Sequence, residues 1–149
     1  MIHFIYKTFD ELTSIELHDM YVLRSEVFVV EQDCVYQDID GNDPKSIHVL
    51  GNIEGTLVAY ARVLDQGLSY ADYSSIGRIV VSRAYRAQKF GHELVDFAIK
   101  TTQKEYANSP IKISAQAHLE KFYETHLFKA TGEAYLEDGI PHIGMLLEA

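Results

Sequence analysis

Apolar and polar positions in the first third of the chain predict a strand, a helix and a loop. The segment from His3 to Phe9 predicts the strand. Thr13 or Ser14 is a suitable N-cap, and apolar residues recur at helical spacing from Leu17 to Phe28, so we expect a helix of about four turns. The acidic segment from Glu31 to Lys45 is rich in turn-forming residues, which predicts a loop.

The next apolar runs predict a hairpin and a buried strand. Ile47 to Leu50 and Leu57 to Leu64 are separated by turn-forming residues, so they are expected to pair as a hairpin. A loop from Asp65 to Ser75 follows. The short apolar run Ile79-Val80-Val81 then predicts a strand in the interior of the sheet.

A basic loop and a second helix follow this strand. The loop extends from Ser82 to Lys89, and Gly91 leads into a segment whose apolar residues share one helical face. These residues are Phe90, Leu94, Phe97 and Ala98. The succession of strand, basic loop and helix is the feature around which the functional prediction is built.

The last forty or so residues predict three further strands and a short helix. Asn108-Ser109-Pro110 is expected to end the second helix. The predicted elements are a strand from Ile111 to Gln116, a helix from His118 to His126, a strand from Phe128 to Leu136, a turn at Asp138-Gly139 and a strand from His142 to Leu147. The element order is therefore β-α-β-β-β-α-β-α-β-β, which predicts one α/β domain spanning residues 1–149, with helices covering a mixed sheet.

Composition and charge narrow the classes of function. The net charge of −9 argues against nucleic-acid binding, which requires a basic surface. No apolar run approaches the roughly 20 residues of a membrane span, and the N-terminal segment lacks the pattern of a signal peptide. The single cysteine, Cys34, fits a reducing compartment. A cytoplasmic protein is the expectation.

The central strand, loop and helix form a candidate phosphate site. The first N–H groups of a helix lack partners inside the helix, and the helix dipole is positive there. Arg86 and Lys89 add positive charge, and Gly91 permits close approach to the backbone. Neither a Walker loop nor a Rossmann fingerprint is present. An ordinary strand-to-helix connection with a solvated turn is the alternative.

This stretch resembles the acetyl-CoA pyrophosphate loop of the GNAT acetyltransferases. Val81 is followed after four residues by Arg86, then by Lys89 and Gly91, where the family has Gln/Arg-x-x-Gly-x-Gly/Ala. Lys89 replaces the central glycine. Further segments are similar to the ElaA-like branch: LRSEVFVVEQDCVYQDIDGND, LVAYARVL, AQAHLEKFY and EDGIPHIGM. The resemblance covers most of the chain in the right order.

The resemblance implies a fold, a cosubstrate and a set of binding residues. The fold is an α+β arrangement with a mixed, mostly antiparallel sheet flanked by helices. The cosubstrate is acetyl-CoA, with no metal, and the histidines indeed show no paired spacing of metal ligands. The residues implied to contact the cosubstrate are Ile79, Val80, Val81, Arg86, Ala87, Gln88, Lys89, Phe90, Gly91, His92 and Gln116.

Tyr123 is the residue that the resemblance implies as the general acid. It stands seven residues after Gln116, where many family members have a tyrosine seven residues after an asparagine. In the family its hydroxyl lies near the thioester sulfur and can protonate the leaving thiolate. A half-buried amphipathic tyrosine with no catalytic role is the alternative.

The general base is left open among several residues. Some family members have a glutamate six residues before the position of Val81, but Ser75 stands there. The remaining candidates are His48, His118, His142, Glu31 and Glu137. His142 begins the last predicted strand, so we expect it to face the acceptor cleft, and a neutral histidine can accept a proton near physiological pH. A water chain without a single base is a further possibility.

The expected activity is transfer of an acetyl group from acetyl-CoA to a primary amine of a small molecule or a peptide. The acidic loop contains Glu31, Asp33, Asp38, Asp40 and Asp43. Either these residues attract a cationic amine or they form a solvated loop. A non-catalytic CoA-binding sensor is one alternative function. The segment VFVVEQ also resembles acyl-homoserine-lactone synthases, which gives a second. A monomer or a homodimer is expected.

Overall fold

Eight strands form one mixed sheet in the computed structural model, which describes residues 1–107 and 109–148. The strands are β1 His3–Thr8, β2 Ile47–Ile53, β3 Thr56–Leu64, β4 Ser74–Val81, β5 Ile111–Gln116, β6 Lys129–Ala130, β7 Tyr135–Glu137 and β8 Ile140–Leu147. Their order is β1-β2-β3-β4-β5-β8-β6, and β7 also pairs with β8. The pairing of β4 with β5 is parallel, and the other pairings are antiparallel.

Three α-helices occur among the described residues. They are α1 Ser14–Arg24, α2 Phe90–Glu105 and α3 Glu120–Glu124. A π-helical segment, Ser25–Glu31, follows α1 directly. Short 3-10 turns lie at Phe9–Glu11, Asp43–Lys45, Arg83–Gln88 and Ala117–Leu119. No helix in the described parts of the chain is long and apolar enough to cross a lipid bilayer.

The helices cover opposite faces of the sheet. At the start of α1, Thr13 and Glu16 exchange the reciprocal hydrogen bonds of a capping box. Its buried residues Met20 and Leu23 then pack against a cluster that includes Val80 of β4. On the other face, α2 buries an apolar stripe against the strands. The helix therefore begins where the polar pattern predicts it, and burial of its apolar face fixes it to the sheet.

Several predicted boundaries are wrong. The strand before the basic loop begins at Ser74 rather than at Ile79, and the basic loop is largely a 3-10 turn. The predicted helix from His118 to His126 is a 3-10 turn followed by the five-residue α3. The acidic loop contains the short turn at Asp43–Lys45. The predicted break after α2 includes Asn108, which lies outside the described residues.

The strand predicted from Phe128 to Leu136 is two short strands. Both pair with β8, β6 at Met145 and Leu146 and β7 from Ile140 to His142. Between these contacts the Thr131 amide donates to the carbonyl of Gly144. A Cβ at residue 144 would stand 2.9 Å from the hydroxyl of Thr131. Because glycine has no side chain, Thr131 can lie this close to β8. Alternation of residue types cannot show that the predicted strand is interrupted here.

Three arginines hold the acidic loop against the sheet. Arg24 is fully buried and donates to the carboxylates of Asp38 and Asp43 at 2.8 and 2.9 Å. Arg62 donates to Asp40 and Asp43, and Arg78 pairs with Asp38 and Asp40. Neither expectation for these carboxylates is therefore right, because Asp38, Asp40 and Asp43 are neither a free cation site nor solvated side chains. They form an ion-pair network with arginines of α1, β3 and β4.

The charges of this network hold the carboxylates of Asp40 and Asp43 ionised. Burial would raise the pKa of Asp40, but the hydrogen bonds and charge of Arg62, the Asn42 amide and Arg78 outweigh it and lower that pKa to about 2. Burial acts against Asp43 in the same way, and hydrogen bonds from Arg24 and Arg62 lower its pKa. The network therefore remains charged across the physiological range.

Candidate active site

The sheet opens between its two parallel strands. β4 and β5 are in register only at Ser74 with Ile111 and at Ser75 with Lys112. Beyond these pairs the structure assigns no further pairing between β4 and β5, so their facing edges border a split in the sheet. β4 leads through a 3-10 turn into α2, and β5 leads through another into α3. The split is therefore bordered by two strands and by the beginnings of two helices.

A β-bulge shapes the β4 side of the split. Tyr60 of β3 is opposite Val80, whereas Arg62 is opposite Gly77, so β4 contains one extra residue. Arg78 has a left-handed conformation there, with φ of 49°. Val80 then packs under α1, while Ile79 and Val81 pack against the cluster on the α2 face. The bulge thus sets the orientation of the residues predicted to hold the pantetheine arm.

The conformation of Lys89 explains why the resembling family has glycine at this position. Lys89 is the N-cap of α2 and has φ of 62° and ψ of 13°, the left-handed region. Glycine enters this region without steric cost, whereas a side chain with a Cβ does not. Lys89 is exposed. The chain therefore keeps the backbone path of a glycine and adds an ammonium group at the start of a 16-residue helix.

We predict that the charge and the backbone of Lys89 have separable effects. In Lys89→Gly the left-handed conformation becomes easier, so the free energy of unfolding should stay level or rise by up to about 1 kcal/mol. CoA binding should weaken by about 1 kcal/mol or more because the positive charge is lost. Urea unfolding and calorimetric titration with CoA measure the two effects, and Lys100→Gly, on the exposed side of α2, is the comparison variant. A glycine variant that binds CoA as well as the parent would exclude Lys89 from the phosphate site.

Arg86 is held in place by two groups. Its Nε donates to the carbonyl of Val81 at 3.0 Å, and its two terminal nitrogens donate to both carboxylate oxygens of Glu31. The hydrogen bond from Arg86 lowers the pKa of Glu31, whose burial opposes the shift. Glu31 is therefore an ionised partner of Arg86 and is unsuited as the general base. The pair connects the π-helical segment to the basic turn, beside a cleft of about 270 Å³.

Tyr123 lies in the core on the α2 face of the sheet. It is 5% exposed and stands edge-on to the rings of Phe122 and Phe128. Burial raises the pKa of its hydroxyl, so the phenol keeps its proton at neutral pH. Within residues 1–107 and 109–148, no side-chain hydrogen bond to this hydroxyl is found. A protonated hydroxyl without a protein partner can donate to a ligand.

His142 lies on the opposite face of the sheet, across from Gln116 of β5. Its Nδ1 is 2.7 Å from the carbonyl of Ile140, and since a carbonyl only accepts, Nδ1 carries a hydrogen. In the neutral ring Nε2 then has the lone pair, and it stands 3.6 Å from a carboxylate oxygen of Glu137. His142 is thus held in a tautomer that can accept a proton at Nε2.

The other histidine candidates are placed differently. His48 is fully buried, with one ring nitrogen 2.6 Å from the Tyr60 hydroxyl and the other 2.9 Å from the carbonyl of Asp43. Burial lowers the pKa of His48. Both nitrogens are engaged in the ion-pair region, so His48 is a structural residue. His118 is exposed on the turn after β5.

Polar side chains form a cluster around His142. Of these side chains, Glu137 is the one that was predicted from the sequence. The hydroxyls of Ser114 and Tyr135 are hydrogen-bonded, and the Ser114 hydroxyl donates to Glu137 at 3.2 Å. The Tyr135 ring stacks with the ring of His142. These residues come together because β5 and β7 both pair with β8. Alternation marks Ser114 as polar and outward-facing, but only the strand pairing shows its neighbours.

Two further contacts join β5 and the turn between β7 and β8 to distant segments of the chain. The Cys34 thiol is 3.4 Å from the carbonyl of Asp138, so the acidic loop reaches the turn between β7 and β8. Lys112 lies over the rings of Tyr70 and Tyr73. No group of three or more histidine, cysteine, aspartate or glutamate side chains suited to a metal ion occurs among the described residues.

Comparisons with known proteins agree with this architecture. The model of the family described as "Acetyltransferase (GNAT) domain" matches residues 13–149. Protein ElaA of Escherichia coli strain K12 is 44% identical over 142 residues, 93% of this chain and 91% of that protein. The crystal structure of Escherichia coli ElaA superposes with a TM-score of 0.93 at 41% identity and covers 99% of this chain and 100% of that one.

Two further solved structures share this fold at different levels of sequence identity. An acyl-CoA N-acyltransferase from Pseudomonas aeruginosa has a TM-score of 0.93 at 41% identity, and the match covers both chains completely. The acyl-homoserine-lactone synthase LasI has a TM-score of 0.75 at 14% identity, with 99% of this chain and 89% of that one covered. The similarity to LasI shows a shared fold alone.

Proposed function

The chain belongs to the GNAT acetyltransferase family, and we propose that it transfers an acetyl group from acetyl-CoA to a primary amine of a small molecule or a peptide. The observation that carries the proposal is the split between β4 and β5, with Tyr123 on one face of the sheet and His142 on the other. A phenol that keeps its proton and an imidazole whose Nε2 can accept one suit a reaction in which an amine attacks as a thiolate leaves.

The residues around the split suit the cosubstrate. Its phosphates would lie at the start of α2, where helix N–H groups and Lys89 provide positive potential. Its pantetheine arm would follow the edge of β4 at Ile79 to Val81. Bound acetyl-CoA supplies the acyl group as an activated thioester. The Pseudomonas aeruginosa protein named an acyl-CoA N-acyltransferase supports this class of donor.

Two side chains carry the proton transfers in the proposal. Tyr123 donates its phenolic proton to the leaving sulfur, since burial keeps that proton in place. His142 accepts a proton from the attacking amine at Nε2, and Glu137, 3.6 Å away, stabilises the imidazolium that forms. Hydrogen-bonding groups on the edge of β4 would orient the carbonyl.

The polar cluster is proposed as the acceptor site. Glu137 provides a negative charge, and Tyr135 provides an aromatic face beside it. A carboxylate next to an aromatic ring favours a protonated amine. The amine would give its surplus proton to solvent or to His142 before it attacks.

The proposed function predicts binding and turnover together. At a hundredfold excess of CoA over Kd, the free energy of unfolding should rise by about 2.7 kcal/mol, because CoA binds the native state alone. Thermal melts with CoA in EDTA measure this, and acetyl-CoA turnover with a panel of primary amines measures catalysis. No stabilisation and no calorimetric binding at millimolar CoA would refute the proposal. Binding without turnover for any amine would indicate a CoA-binding sensor instead.

We predict a pH-dependent defect in His142→Gln. Glutamine keeps a polar side chain but cannot accept the amine proton, so the rate should fall by about a hundredfold at neutral pH. The loss should shrink as pH rises, because more of the free amine is already neutral. Rates against pH for the parent and the variant test this, with His118→Gln as the control. Parallel pH profiles for parent and His142→Gln would show that His142 is not the base.

A further inference from the structure

Three side chains form a hydrogen-bonded chain between α2 and the turn after α3. His92 Nδ1 is 3.0 Å from His126 Nε2, and His126 Nδ1 is 3.1 Å from a carboxylate oxygen of Asp96. The ring of Phe122 lies beside both imidazoles, with centroids 4.6 and 5.4 Å away. The His126 side chain is 7% exposed, whereas Asp96 is 62% exposed. The chain therefore has exposed residues at both ends, Asp96 and His92, and a nearly buried imidazole between them.

This chain links the two elements that follow the separating strands. His92 is the third residue of α2, which follows β4, and His126 comes two residues after the end of α3, which follows β5. The segments after the two separating strands are thus joined by one hydrogen bond between imidazoles. His92 is itself one of the residues predicted to contact the cosubstrate.

The partners of the chain fix where hydrogens can lie. A carboxylate only accepts, so His126 Nδ1 donates to Asp96. In the neutral His126 ring Nε2 has the lone pair, and His92 must therefore donate its Nδ1 hydrogen to it. His92 Nε2 is left as the acceptor at the end of the chain. A proton added there preserves both hydrogen bonds, whereas a second proton on His126 Nε2 would oppose two donors.

The position of His92 couples that added proton to an anion. A cationic imidazole in the first turn of a helix is disfavoured by the positive end of the helix dipole. An anion bound at the same helix end removes this penalty and accepts a charge-assisted hydrogen bond from Nε2. The other charged residues within four positions of His92 in the sequence are Lys89, Glu93 and Asp96, and those of α3 are Glu120, Lys121 and Glu124. In the described part of the chain, Asp96 is the one carboxylate bonded to either ring.

We propose that His126 and Asp96 position His92 as a proton-accepting contact for a phosphate of CoA, so that cofactor binding takes up one proton from solvent at His92 Nε2. This inference rests on the proposed function, since it requires that CoA binds at the start of α2. His92 is the binding residue, and His126 and Asp96 are positioning residues. CoA affinity should consequently fall as pH rises, because binding takes up a proton.

Calorimetric titration in two buffers of different ionisation enthalpy measures the proton taken up on binding. The wild-type protein should take up a large fraction of a proton when it binds CoA at slightly alkaline pH, and its Kd for CoA should rise roughly tenfold between pH 6 and 8. His92→Gln and His126→Phe should abolish or reduce the uptake and flatten this dependence. His18→Gln, which removes an exposed histidine 3.2 Å from Asp19 on α1, should behave as wild type.

Titration with dephospho-CoA shows whether His92 contacts the pyrophosphate or the 3′-phosphate of CoA. It lacks the 3′-phosphate, whose own titration also contributes protons. Uptake that persists with dephospho-CoA and disappears in His92→Gln assigns His92 to the pyrophosphate, and uptake that disappears with dephospho-CoA in wild type assigns it to the 3′-phosphate. Wild type that binds CoA with the same uptake as His92→Gln overturns the inference and leaves the proposed function intact. A protein that binds no CoA overturns both.

Discussion

Tyr123→Phe should slow acetyl transfer by roughly 10²- to 10⁴-fold in a single turnover, the usual contribution of a general acid. The substitution removes only the hydroxyl, and the ring keeps its contacts with Phe122 and Phe128. CoA affinity and the free energy of unfolding should therefore stay close to those of the parent. Rapid mixing of enzyme-bound acetyl-CoA with amine measures the chemical step even where product release limits kcat.

Tyr106→Phe is the matched control for this experiment. Tyr106 is a partly buried tyrosine beyond the end of α2, and the same atom is removed. The control should react at the parental rate. If the Tyr123 variant also reacts at that rate, Tyr123 is a packing residue and another group, or water, protonates the sulfur.

Arg24→Met should lower the free energy of unfolding by about 3–5 kcal/mol, the cost of removing one partner from a buried ion pair. Methionine fills much of the space of the arginine stem but leaves Asp38 and Asp43 without two of their hydrogen bonds. Arg24 also lies over the rings of Tyr21 and Tyr60, at 5.1 and 5.5 Å, and that attraction is lost as well. Urea unfolding measures the change.

Lys7→Met makes the same exchange in a partly exposed pair and is the control. Lys7 Nζ is 2.9 Å from Glu16, with 29% and 23% of the two side chains exposed. Such pairs contribute about 0–1 kcal/mol because solvent screens them. We infer that the buried ion-pair network holds the acidic loop, and not burial of apolar surface alone. Equal losses in the free energy of unfolding for the two methionine variants would contradict this view.

The family resemblance in the sequence is confirmed, and so is the type of fold. β5 has the predicted bounds, Ile111–Gln116, because its alternation reports a strand with one buried face. The N-cap at Thr13 is likewise visible locally, since the capping box lies within four residues. The roles of Tyr123, His142 and the cosubstrate loop stay predictions that the experiments above test.

The wrong expectations about charged side chains share one cause, because they concern contacts between residues distant in sequence. Glu31 could serve as a base until the fold placed Arg86 against it. In the sequence, an acidic cluster that looks exposed is formed by Asp38, Asp40 and Asp43. In the structure, these carboxylates are neutralised by arginines of three other elements, Arg24, Arg62 and Arg78. A pattern of charges along the sequence shows only the charges of neighbouring residues. It does not show partners that folding brings from other elements.

The sequence by itself determined the order of the elements as far as α3, the apolar faces and the loop that binds phosphate in the resembling family, since periodicity, caps and local motifs are properties of neighbouring residues. Only the tertiary structure decided that β4 and β5 separate after two pairs, that two short strands replace the predicted one from Phe128 to Leu136, and that His92 contacts His126. Those features depend on strand register and on packing between elements far apart in the chain, which local patterns do not specify.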